Sequence, residues 1–136
     1  MSEIKVDNLN GKTSAGDITV TSEGGAATQS LQQGLAKAWI HFTAVSSHTI
    51  RGSFNVSTLL DVGTGDSQYN FSNNMANDDY STSTTSSHNI GASEGFISYL
   101  TDDQSTANTN DMRTVNASNS SYDAQSVHSV VHGSLA

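Results

Sequence analysis

Residues 36–71 read AKAWIHFTAVSSHTIRGSFNVSTLLDVGTGDSQYNF, from Ala36 to Phe71. This stretch contains the only Trp, three of the four Phe and the densest hydrophobic patterning in the chain. Ala36 to Thr43 alternates with period two, the signature of a strand with one buried face. Ala36, Ala38, Ile40 and Phe42 point one way, and Lys37, Trp39, His41 and Thr43 the other. Trp39 on the polar face predicts packing under a loop or a subunit contact, where Trp is enriched. Thr49 to Asn55 predicts a second strand anchored by Ile50 and Phe54. Val56 to Val62 and Ser67 to Phe71 predict a hairpin closed by Gly63-Thr64-Gly65-Asp66, whose glycines provide positive φ. Val56, Leu60 and Val62 are expected on one face of its first arm, Tyr69 and Phe71 on one face of the second.

On the N-terminal side the chain is polar. Ile4 with Val6, and Ile18 with Val20, predict short strands. Ala26 to Leu35 predicts a short helix, with Leu31 and Leu35 at i, i+4. Beyond the hairpin, Asn73 to Asp79 is a polar connection. Strands are predicted over Tyr80 to Ser87, Gly95 to Leu100, Met112 to Ala117 and Ser126 to His132, with loops at Thr101 to Asn110 and Asn119 to Gln125. In the last strand Val127 and Val131 share one face, and His128, Val130 and His132 the other. Short strands with polar turns predict an all-β, antiparallel β-sandwich of jelly-roll-like type over residues 36–136. A short extended segment, residues 1–35, precedes it.

Ser, Thr and Asn together make up 50 of 136 residues, whereas Leu, Ile, Val and Phe make up 26. A buried large apolar side chain contributes only ~1.5–3 kcal/mol, so a core this thin favours burial between identical subunits. The net charge is −8 and the five basic residues are scattered along the chain, which disfavours nucleic-acid binding. The chain has no Cys, hence no disulfide, no thiolate metal site and no thiol nucleophile. No apolar run reaches membrane-spanning length and no signal peptide is read at the start, so no membrane insertion is expected.

The chemistry-bearing residues are few. Gly91-Ala92-Ser93-Glu94-Gly95 matches Gly-x-Ser-x-Gly, but no helix pattern follows it as a nucleophile elbow requires. His128 and His132 share a strand face about 13 Å apart, too far to hold one metal within a subunit. They and His41 and His88 are expected as hydrogen-bonded or surface histidines. Asn77-Asp78-Asp79, Asp102-Asp103 and Asn108 to Asp111 offer oxygen ligands, but none matches a calcium loop, and Asn and Asp are favoured in solvated turns for backbone reasons.

LQQGLAKAW (Leu31 to Trp39) with Phe42, SFNVS (Ser53 to Ser57) after Arg51, and DVGTGDSQYNF (Asp61 to Phe71) form a recurring pattern. It resembles a domain of tail-fibre and related tail proteins of marine bacteriophages. Met75-Ala76 with Tyr80 continues the likeness, and the openings MSEIKVDNL and KTSAGDITVTSEGG resemble the start of virion structural proteins. The resemblance spans residues 1 to 80 and loosens beyond. It implies a homotrimeric virion appendage of the tail, non-enzymatic and without cofactor. Residues 1–35 would attach it to other tail proteins or a fibre shaft, and residues 36–136 would face outward toward a host cell-surface glycan or protein. Recognition is then expected on the loops, with Asn77, Asp78, Asp79, Tyr80, Asp102 and Asp103 as binding residues. The rival readings are a structural connector or decoration protein of the virion, and a lectin-like carbohydrate-binding module or depolymerase.

Overall fold

A computed structural model describes residues 3–14, 16–87, 97–100 and 105–136. The chain divides into two compact units, residues 1–35 and 36–136. In the first, β1 (Thr19–Thr21) and β2 (Thr28–Ser30) form an antiparallel ribbon, followed by α1 (Leu31–Gly34), a single turn. The helix expected over residues 26–35 is thus reduced to its last turn, with strand at Thr28–Ser30 before it. Ten residues are too few to hold a helix without packing. Pairing Thr19 with Ser30 and Thr21 with Thr28 satisfies the backbone instead, and the Ser30 hydroxyl caps the remaining turn by accepting from the Gln33 amide at 3.4 Å. Ile4 and Val6 lie outside any strand and are exposed.

The second unit contains two four-stranded antiparallel sheets. One has the order β4 (Thr49–Phe54), β3 (Ala38–Thr43), β10 (Ser126–His132), β7 (Ser81–Ser87). The other has the order β5 (Val56–Gly63), β6 (Asp66–Phe71), β9 (Thr109–Val115), β8 (Ile97–Leu100). A jelly roll sends successive strands to alternate sheets. Here β3–β4, β5–β6 and β8–β9 pair within a sheet, so the expected jelly-roll-like order is not the one adopted. Short connections hold β3 beside β4 and β5 beside β6, and the first crossing between sheets is made at a single residue, Asn55.

Asn55 adopts φ +55°, a conformation Asn tolerates better than most residues. Its side chain donates to the carbonyls of Lys37 and Asn73, both at 3.0 Å, and its Oδ1 accepts from the Asn73 amide at 2.7 Å. The corner is therefore bonded to β3's approach and to the segment after β6. Gly65, with φ +71°, closes the β5–β6 hairpin. A Cβ there would stand 2.5 Å from the Thr114 carbonyl oxygen and 2.6 Å from the Tyr122 amide. Gly63, the other glycine of the turn, does not take a positive φ.

Both sheets contribute to one buried cluster. Ala38, Ile40, Phe42, Val127 and Val131 come from one, Tyr69, Phe71 and Met112 from the other, and Ala44, Met75 and Ala124 from connections. The faces read for β3, β6 and β10 are the ones buried. Two anchors are not: Ile50 is 38% and Phe54 54% exposed. A bulge at His41/Phe42 shifts the β3–β4 register, and β4 is an edge strand. In β5 a register shift between Val56 and Thr58 places Leu59 opposite Tyr69. Leu59 therefore packs on the core, while Leu60 and Val62 are exposed.

Candidate functional site

The residues expected to bind are partly placed. Asn77, Asp78 and Asp79 are exposed in the connection before β7, where Asn77 Nδ2 donates to Asp79 Oδ2 at 3.3 Å. Tyr80 is tied into the fold. Its hydroxyl donates to the Thr109 carbonyl at 2.6 Å, its ring meets Phe71 edge-on at 5.6 Å, and burial raises its pKa above the ordinary phenol value. Asp102, Asp103, His88 and Gly91 to Gly95 lie outside the described residues. Asn110 and Asp111 are buried: Asn110 Nδ2 donates to Thr82 Oγ1 at 3.1 Å, and Asp111 Oδ2 accepts from Gln68 Nε2 at 3.2 Å. Among the described residues no three His, Asp or Glu side chains gather as a metal site would require.

Two groupings escape sequence reading. The first is Asp61, His48 and Ser67. Asp61 and Ser67 pair across the β5–β6 hairpin, and His48 arrives from the β3–β4 loop. Its Nε2 lies 2.7 Å from Ser67 Oγ and its Nδ1 3.3 Å from Asp61 Oδ2. The order is that of nucleophile, base and orienting carboxylate, but the burial is reversed. Ser67 is only 3% exposed, whereas the Asp61 side chain is 58% exposed. The Nδ1–Asp61 contact also lacks hydrogen-bond alignment. The cluster is tied into the core: His48 stacks on Phe42 at 6.0 Å and satisfies the buried Ser67 hydroxyl. No sequence signal links the three, because His48 sits in a loop whose path only the packed sheets set.

The second grouping lies on the solvent face of the β4-β3-β10-β7 sheet. His41 and His128 are directly opposed across β3 and β10. Their rings stack at 4.0 Å with 16° between planes, and each Nε2 lies 3.0 Å from Ser126 Oγ. The His41 pKa is lowered, chiefly by burial, then by the His128 and Arg51 charges. Trp39, on the same face of β3, is flanked by Phe54 of β4 and Val130 of β10. Its six-membered ring lies over Gly52, whose Cβ would stand 3.3 Å from the indole. Trp39 is 41% exposed. Sequence reading paired His128 with His132 along one strand; the neighbour that matters, His41, is across the ladder.

No protein-family model, curated protein or solved structure matches the chain. Among the described residues no helix is long and apolar enough to cross a membrane.

Proposed function

We propose that the chain is a non-enzymatic virion protein of a bacteriophage tail, a fibre or tip component that contributes to host-surface attachment. In this reading residues 36–136 are a β-sandwich, the chain is a homotrimer, and residues 1–35 engage other tail proteins. The observation that supports it is the place of the motif residues in the fold. The QGLAKAW, SFNVS and GTGD elements supply the approach to β3 and its first two residues, the Asn55 corner and the β5–β6 turn. A pattern shared with phage tail proteins is therefore a pattern of scaffold, leaving outward faces and loops free for recognition. Three weak sites per trimer would provide avidity without deep pockets. The exposed Trp39, Phe54, Leu60 and Val62 fit a protein that uses its surface rather than a cleft.

Antibody-gold labelling of purified phage particles tests the reading, with sedimentation of the isolated protein beside it. Label at the tail and a trimeric mass are expected. Unlabelled particles overturn the virion assignment, and a monomeric mass at micromolar concentration overturns the trimer.

A further inference from the structure

Carboxylates are unevenly distributed between the strands of the two sheets. The chain carries thirteen acidic residues, yet β3, β4, β7 and β10 contain no Asp or Glu. They carry Arg51, His41, His128 and His132 instead. The strands of the other sheet include Asp61, Asp66 and Asp111 beside a single basic residue, Arg113. In a protein of net charge −8, the strands of this sheet thus contribute no carboxylate, and its solvent face exposes an indole. Burial first, and then the charges of His128 and Arg51, lower the His41 pKa, and an anion seated here would offset the charge contribution.

The size of the face bears on its occupant. Four strands about 4.8 Å apart and six residues of ~3.3 Å each give a face of roughly 400 Å². That projected extent is enough to seat a few sugar rings side by side. It fits a small, flat, anionic ligand. Indole faces are electron-rich and attract the slightly positive C–H face of a sugar ring. Arg offers a planar fork that matches a carboxylate. His41 follows Trp39 by two residues on the same face, about 7 Å along the strand. A pyranose ring on the indole with a carboxylate at the imidazoles has this spacing.

We propose that the solvent face of the β4-β3-β10-β7 sheet binds an acidic saccharide, a hexuronate-containing glycan whose ring stacks on Trp39 and whose carboxylate meets Arg51, His41 and His128. The setting rests on the host-surface reading above; the chemistry of the site does not. The charges felt at His41 are those of His128, opposite it on β10, and of Arg51, at the register shift of β4, and β7 presents Thr85 beside His128. A carboxylate favours protonated His41, so affinity rises as pH falls through the His41 titration.

Trp39 is the only Trp, so tryptophan emission, excited selectively over tyrosine, reports on this site alone. The full chain is titrated with a galacturonic acid oligomer, and with the same oligomer methyl-esterified. A saturating fluorescence change with the acid is expected, with affinity about tenfold higher at pH 5.5 than at pH 7.5. The ester should bind about tenfold more weakly. By calorimetry, Trp39→Ala should lose about tenfold in affinity and Trp39→Phe less, with circular dichroism verifying the fold. Arg51→Gln should weaken the acid and spare the ester. The absence of any response to the acid, equal binding of the ester, or full affinity in Trp39→Ala overturns the proposal. A Trp39 signal that depends on protein concentration alone overturns it in favour of a second copy. Tail-labelled particles whose protein ignores the uronate reject this site and keep the virion reading; uronate binding with unlabelled particles does the reverse.

Discussion

Tyr69 and Ser129 show how individual polar atoms are accommodated in this core. Both residues are buried, and the Tyr69 hydroxyl lies 2.8 Å from Ser129 Oγ, joining β6 to β10 across the two sheets. Burial raises the Tyr69 pKa well above the ordinary phenol value, so the phenol is neutral at any physiological pH. Ser129→Ala leaves that hydroxyl without its partner and should cost about 1–3 kcal/mol. Tyr69→Phe should cost about 1 kcal/mol. Because they share one bond, the double variant should fall short of the sum by at least ~0.5 kcal/mol in urea unfolding. His41 sets a pH dependence of opposite origin. Its pKa is lower folded than unfolded, so the unfolded chain binds the extra proton first. The stability it contributes is fully present above about pH 6.5, the unfolded value, and is lost as pH falls from there through the folded pKa. The unfolding midpoint should drop between about pH 7 and pH 5, and less steeply in His41→Gln than in the wild type.

Among the elements, the β5–β6 hairpin is the one a single atom can break. Gly65 needs its positive φ and also the space its missing Cβ leaves beside the backbone of Thr114 and Tyr122. Its amide donates to Asp123 Oδ1 at 2.7 Å, and its carbonyl accepts from the Thr114 amide at 2.7 Å. Gly65→Ala should therefore cost about 2–4 kcal/mol, from the backbone conformation and the clash together. A fall in thermal midpoint with unchanged β-type circular dichroism at low temperature is the expected signature. An unchanged midpoint would mean that the turn is not held by its packing on β9. The hairpin was legible because turn chemistry is local. The inward-facing side of its first arm was not, because the bulge after Val56 exchanges the faces of Leu59 and Leu60. Asn55 was visible within SFNVS only as a letter. Its role as the corner between sheets depends on Lys37 and Asn73 being near it, and folding brings them there.

For the molecule as a whole, the core cluster draws every member from residues 38–131. A chain beginning at Ala36 should therefore keep its cooperative unfolding transition, with a midpoint within a few degrees of the full chain for a change of less than about 1 kcal/mol. Loss of the transition would show that residues 1–35 contribute to the fold of the second unit. The all-β, antiparallel character was present in the sequence: period-two alternation in β3, β6 and β10, β-branched runs and glycine turns are local properties that need no knowledge of neighbours. Strand order, the reversal of faces at bulges, the Asp61–His48–Ser67 cluster and the His41–His128 pair were decided only in three dimensions. Each depends on which strand lies beside which, and that is fixed by side chains burying together over long separations rather than by any residue's own preference. The stretch from Ala36 to Phe71 accordingly stated the kind of fold, while the composition of each outward face, including the one around Trp39 to which no strand contributes a carboxylate, emerged when β3 met β10.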